Sequence, residues 1–165
     1  MSNVDFILDL KFLELTERGG STVLKILTGT YYHSVDAKGR INFPTKLREI
    51  LGMNFIVTKG IDKKCLTVYS ETEWEKLSDK ISEIPETKAS VIKRWLFSGA
   101  AELCADKQGR VLIPQELRNF AQIEKDVVVI GADNKAEIWS KENWDKLNDE
   151  IDIDEMMSIM DSIGF

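Results

Sequence analysis

Asp36-Ala37-Lys38-Gly39-Arg40 is written a second time, 70 positions on, as Asp106-Lys107-Gln108-Gly109-Arg110. The flanks repeat at the same offset. Gly29 matches Gly99, Pro44 matches Pro114, and Leu47-Arg48 matches Leu117-Arg118. Ser70 matches Ser140, Trp74 matches Trp144, and Lys76-Leu77 matches Lys146-Leu147. Two copies are too few for a solenoid, and a half of this length buries its apolar faces poorly alone. The repeat therefore predicts a duplicated half-domain in an α+β fold.

Working outward from the first copy, Gly29–Val35 is rich in β-formers and ends at Asp36. Gly39 suits a tight connection that needs a positive φ, so the turn reads as a hairpin. Arg40–Phe43 returns as a strand with Ile41 and Phe43 on one face. Pro44 is placed at the first helical position of a short helix through Leu47, Ile50 and Leu51, which Gly52 ends. Phe55–Thr58 and Leu66–Tyr69 read as strands joined around Gly60–Lys63. Ser70-Glu71-Thr72-Glu73 is a capping box that launches a helix carrying Trp74, Leu77 and Ile81. After Pro85 a linking helix places Val91, Ile92, Trp95 and Leu96 at helical spacing. The second copy runs the same programme through Val111–Ile113, Pro114, Val127–Ile130, Ala136–Trp139 and the Ser140 cap.

These readings divide the chain into an N-terminal extension (1–27), a first half (28–84), a linking helix (85–97), a second half (98–150) and an acidic tail (151–165). The extension has no counterpart in the repeat. Its Phe6–Leu15 stretch suits a short strand or helix that Arg18–Ser21 would break. An alternative reading takes Arg18-Gly19-Gly20 as an in-frame translation of a purine-rich ribosome-binding site, with the start near Val23 or Leu24. In the tail, Ile153, Met156, Met157, Met160 and Ile163 fall along one side of an amphipathic helix. That face either frays or packs on its own domain, or it meets a neighbouring subunit.

The net charge of −6 looks wrong for a nucleic-acid binder, but it is unevenly spread. From Glu142 onward there are eight acids and only Lys146 as a base, leaving 20 acids and 21 bases before it. Between Thr28 and Lys64 the bases are Lys38, Arg40, Lys46, Arg48, Lys59, Lys63 and Lys64, against Asp36, Glu49 and Asp62. Local charge governs anion binding, and here it is positive. No apolar run approaches the ~20 residues that span a bilayer, and no export signal opens the chain. Cys65 and Cys104 do not correspond in the repeat and lack zinc spacing. Both are expected to be buried or half-buried free thiols in a reducing cytosol.

An Asp at a strand end can accept hydrogen bonds from N–H groups in the following turn. The Arg that opens the next strand can present its fork to phosphate or guanine. A single copy would read as an Asp–Arg pair that merely holds a turn. Two copies with Lys38 and Lys107 beside them favour an anion. A turn needs Gly; it does not need two cations.

Gly29 to Arg48, together with Leu96–Glu102 and Asp106–Pro114, resembles the MraZ family of bacterial transcriptional regulators, over about Gly29 to Trp144. The resemblance implies a double-split β-barrel related to AbrB-type DNA-binding domains, built from two tandem pseudo-repeats with short peripheral helices. It implies ring-shaped homo-oligomers on double-stranded DNA, at short direct repeats in the promoter of their own division and cell-wall operon, usually repressing it. The DNA-binding residues carried over are Asp36, Lys38 and Arg40, and Asp106, Lys107 and Arg110. Arg40 would be the main contact, Lys38 would lie on phosphate, and Asp36 would orient the turn. Gln108 stands where Lys38 does, so the two turns need not contribute equally. Cytoplasmic, nucleoid-associated location follows from that role.

Other residues read more plainly. His33 suits a packed or surface position and not a ligand. Trp74 and Trp144 suit packing. Of Tyr31 and Tyr32, alternation turns one inward. Arg48 and Arg118 divide evenly between subunit-interface ion pairs and support for the turn. No nucleophile–base pair, phosphate-cradling loop or ligand cluster is found, so no enzyme, cofactor, metal, small-molecule substrate or membrane is expected. Two alternatives to a repressor remain at this point: an antitoxin-like protein using the tail on a partner, and a ring scaffold without DNA affinity.

Overall fold

A computed structural model describes residues 25–165. The first half holds β1 (Thr30–Ser34), β2 (Arg40–Asn42), α1 (Thr45–Leu51), β3 (Asn54–Lys59), β4 (Leu66–Ser70) and α2 (Glu71–Ser82). The linking helix is α3 (Glu86–Leu96). The second half follows with β5 (Ala101–Cys104), β6 (Arg110–Leu112), α4 (Gln115–Phe120), β7 (Asp126–Ala132), β8 (Lys135–Ser140) and α5 (Lys141–Asp149). A tail helix, α6 (Ile153–Ser162), ends the order. The readings of residues 1–24 lie outside the described residues.

Six strands form one open antiparallel sheet in the order β1-β7-β8-β4-β3-β5, and β2 pairs with β6 in a separate ribbon. The β3–β4 and β7–β8 hairpins are the local pairings that the sequence anticipates, and they meet at the centre through β4 and β8. The outer pairings are exchanged between halves. β1 lies on β7, with Thr30 opposite Ile130, and β5 lies on β3, with Phe55 opposite Leu103.

This overturns the expected hairpin around Asp36–Arg40. The turn forms, with Gly39 at φ 83° and Gly109 at φ 77°, but neither strand leaving a turn pairs with the strand entering it. β2 swings away from β1 because Ile41 has a deeper site opposite Val111, where both are almost fully buried. The burial of a side chain of that size is worth about 1.5–3 kcal/mol, and no ladder is lost, since the three residues of β2 pair with β6 instead.

One core runs through both halves, with Ile41, Leu47, Phe55 and Val68 meeting Val111, Leu117, Val129 and Ile138. Leu27 belongs to it: the residue is buried, and its N–H donates to the Asp133 carbonyl at 2.7 Å. Ser70 Oγ accepts from the Glu73 N–H, and Ser140 Oγ from the Asn143 N–H, each at 3.2 Å, so both serines cap their helices. The return bond of the expected capping box is not made, because the Glu73 carboxylate accepts from Lys76 and Asn134. Pro44 and Pro114 sit one residue earlier than expected. They are the N-cap residues of α1 and α4, with ψ 127° and 143°, because the residue before a helix keeps an extended backbone. Trp74 packs on Tyr69 and Phe97, and Trp144 on Trp139. Tyr31 packs against the core while Tyr32 faces out, as alternation requires.

Cys65 is buried, but Cys104 is exposed, contrary to expectation. It lies on the edge strand β5, where every second side chain meets solvent. His33 is half-buried, and that burial lowers its pKa. No helix among the described residues is long and apolar enough to cross a membrane.

Candidate nucleic-acid interface

Each turn is built the same way. Asp36 Oδ1 accepts from the Lys38 and Arg40 backbone N–H groups, both at 2.9 Å. Its Oδ2 accepts from Arg40 Nε at 2.8 Å. In the second copy Asp106 Oδ1 accepts from Gln108 N and Arg110 N, and Oδ2 from Arg110 Nε, all at 2.9 Å. Both carboxyls are held below the usual carboxylate range, chiefly by the backbone N–H of Arg40 or Arg110, against an opposing push from desolvation. The guanidinium then adds to the lowering. The Asp–Arg brace is therefore real in both copies. It uses Nε alone, so the terminal nitrogens of Arg40 and Arg110 make no hydrogen bond among the described residues.

Each half builds a turn and the other half holds it. The Phe43 N–H donates to the Gly109 carbonyl at 3.0 Å, and the Ile113 N–H to the Gly39 carbonyl at 3.1 Å. Arg118 Nε donates to the Ile113 carbonyl, and its guanidinium lies so close to Gly39 that a Cβ there would meet it at 2.7 Å. Arg48 Nε donates to the Phe43 carbonyl and lies against Gly109 in the same way. Arg48 and Arg118 are thus turn supports, each serving the opposite half, and neither forms an ion pair among the described residues. Each turn gains a second guanidinium from across the molecule.

The exchange places both turns on one surface. Arg40 pairs with Leu112 and Asn42 with Arg110, so these four side chains share the outer face of the ribbon while Ile41 and Val111 face the core. Along the strand direction Arg40 and Arg110 are roughly 7 Å apart, two residues of strand. That is about two base-pair steps. Lys38 and Lys107, both exposed, flank the ribbon from its two turns. All six site residues anticipated from sequence are brought to this surface. Asn42 and Leu112, which sequence reasoning did not single out, share that surface. Leu112 is 55% exposed, an unusual position for a large apolar side chain on a strand so close to the core. The alternation Arg40-Ile41-Asn42 already pointed Asn42 outward. The apolar run Val111-Leu112-Ile113 hid the same fact for Leu112.

The ribbon carries toward each end a guanidinium whose terminal nitrogens are unpaired among the described residues, and a two-stranded ribbon is one of the elements that the DNA major groove, about 12 Å wide, admits. No group of acids, histidines or cysteines that could hold a metal occurs among the described residues.

Fold and site together define an internally duplicated α+β protein whose halves exchange strands and present their turns on a shared ribbon. The family model of the MraZ protein, described as antitoxin-like, matches residues 26–91 and 96–160, so the chain belongs to the MraZ family. Its relatives include proteins named transcriptional regulator MraZ. The one from Heliobacterium modesticaldum is 50% identical over 123 residues, covering 73% of this chain and 85% of the relative. The one from Alkaliphilus metalliredigens is 46% identical over 140 residues, covering 82% and 97%. That from Caldicellulosiruptor bescii is 47% identical over 143 residues, covering 84% and 99%.

Proposed function

We propose that this protein is a sequence-specific DNA-binding transcriptional regulator that acts at the nucleoid, represses the division and cell-wall gene cluster containing its own gene, and works without a catalytic step. We read the open sheet and the ribbon together as a double-split β-barrel of the AbrB-like kind, assembled into rings that engage short direct repeats in the promoter. The observation that carries the DNA reading is the shared ribbon face with Arg40 and Arg110, whose terminal nitrogens are free to take guanine O6 and N7 or phosphate. Lys38 and Lys107 lie on phosphate, and Asp36 and Asp106 fix each arginine by its Nε. Repeated copies on repeated half-sites raise affinity without new contacts in any one subunit. The names of the relatives support the regulatory role.

The test is a titration of the protein against its own upstream promoter fragment at two salt concentrations. Arg40→Ala and Arg110→Ala are each expected to weaken specific binding by about 1–3 kcal/mol. Lys38→Ala should weaken specific and random DNA alike and flatten the salt dependence by about one unit of slope. No preference for the promoter over random DNA, in folded and assembled protein, would remove the repressor reading. It would bring forward the partner-binding one, which the exposed tail helix favours.

A further inference from the structure

The ribbon has a local two-fold axis that its own side chains break. Residues 40, 41 and 42 correspond in the repeat to 110, 111 and 112. They pair in reverse, Arg40 with Leu112, Ile41 with Val111 and Asn42 with Arg110, so the axis runs through the Ile41–Val111 pair. The bonds from Phe43 N–H to the Gly109 carbonyl and from Ile113 N–H to the Gly39 carbonyl bracket it evenly, at 3.0 and 3.1 Å. That pattern makes Arg40–Leu112 and Asn42–Arg110 non-hydrogen-bonded pairs, with Cα atoms about 4.5 Å apart. The two pairs lie about 7 Å from each other along the strands. All four outward side chains therefore fall within a few base-pair steps.

Under this axis the two arginines exchange places. Each is braced in the same way by its aspartate, through Nε at 2.8 and 2.9 Å. As a pair they look alike from either direction along a duplex. Asn42 and Leu112 exchange places as well, and they are chemically unlike. Asn42 is exposed, and its amide makes no hydrogen bond among the described residues. Leu112 is 55% exposed, although Val111 beside it is almost fully buried. The fold gains little from an apolar side chain at that place. The turns also differ, with Lys38 matching Gln108 and Ala37 matching Lys107. A lysine on phosphate carries no sequence information, so those differences bear on affinity and leave the reading to the ribbon.

We propose that Asn42 and Leu112 set the direction in which each ribbon reads the duplex. A side-chain amide takes adenine N6 and N7, and an apolar side chain meets the thymine methyl. With the ribbon axis on the local dyad of the major groove, the two side chains reach opposite strands. Adenine under Asn42 on one strand and thymine under Leu112 on the other place both adenines on a single strand. Two asparagines would place them on opposite strands and make the core self-complementary. The unlike pair thus draws a directional core from a nearly symmetric frame, as copies repeated in one orientation require. The inference deepens the DNA reading above and rests on it.

Three proteins test it: the wild type, the symmetric variant Leu112→Asn and the exchanged variant Asn42→Leu/Leu112→Asn. Both positions are exposed, and circular dichroism and light scattering verify that fold and mass are kept. Each protein is equilibrated with promoter duplexes in which one repeat is randomised, and the bound fraction is sequenced. The wild type should return a directional core with each of the two base pairs preferred about tenfold. Leu112→Asn should return a self-complementary core. The exchanged variant should return the reverse complement of the wild-type core in the same place. Retention of the wild-type core by either variant overturns the inference and leaves the DNA reading standing. Loss of preference at both base pairs in the exchanged variant, with no reversed core in its place, overturns it equally. A wild type without preference at any randomised position removes the DNA reading and the inference together.

Discussion

Arg40 gives Asp36 one of its three nitrogens, and that choice separates holding the turn from reading a ligand. An Nε donor fixes the plane of the guanidinium while its outer edge stays free for a bidentate acceptor. The Asp–x–x–Gly–Arg spacing was legible in sequence because every partner lies within five residues. Support for a turn was one of the two readings open for Arg48 and Arg118, but not which turn, since each serves a glycine in the other copy and spacing within one copy carries no trace of that. Leu112 escaped for a related reason. An apolar residue between two apolar neighbours reads as core until its cross-strand partner, Arg40, is known. Were the ribbon to enter the major groove as proposed, Leu112 would meet a thymine methyl and Asn42 an adenine edge. Leu112→Ser is therefore expected to leave affinity for random DNA unchanged and to reduce discrimination at one base pair about tenfold, read from binding to a panel of single-base promoter variants. The two aspartates set a second expectation. Their folded pKa values lie below the ordinary 3.8, so their contribution to stability is complete above that value and is lost as pH falls through the lowered one. The gap in urea midpoint between wild type and Asp36→Asn/Asp106→Asn should be constant from neutrality to about pH 4.5 and should shrink below 3.8.

Among the elements, the two long hairpins and the helix caps could be read because they are local: turn chemistry, alternation and a Ser three residues before the acceptor's donor all sit in one window. The pairing of β2 with β6 could not, because a turn specifies that the chain reverses and says nothing about which strand receives it. The same long-range packing that chose the ribbon leaves one flaw in the central sheet. Thr67 on β4 is buried, and its Oγ1 has no hydrogen-bond partner among the described residues. Its neighbour Thr58, fully buried on β3, uses its hydroxyl on α3. Thr67→Val removes an unsatisfied hydroxyl at nearly constant volume, and it should raise stability by about 1 kcal/mol, measured as a higher urea midpoint with unchanged slope. Thr58→Val should lower it by a similar amount, because it leaves the Leu96 carbonyl without its partner.

At the scale of the molecule, the two cysteines report on whether the exchanged halves open together. Burial pushes the Cys65 thiol up to about 12, with the Glu137 carboxylate adding to the shift, so it is protonated and enclosed throughout the neutral range. Cys104 is exposed on the edge strand. A maleimide at neutral pH should modify one thiol per chain promptly. The second should react only at the rate of global unfolding, since Cys65 lies beneath Trp139 and Val128 of the opposite half. Prompt modification of both would mean that the halves separate locally.

The exchange of outer strands also bears on the order in which the chain can be completed as it is made. Thr30 pairs with Ile130 and Ser34 with Asp126, so β1 leaves the ribosome long before its neighbour exists. At ~5–20 residues per second the wait is on the order of ten seconds. Throughout it β1 is an unpaired strand of the kind that recruits other nascent chains. Its outward positions, Thr30, Tyr32 and Ser34, each carry a hydroxyl, which keeps the waiting strand wettable on the face that the finished protein leaves open.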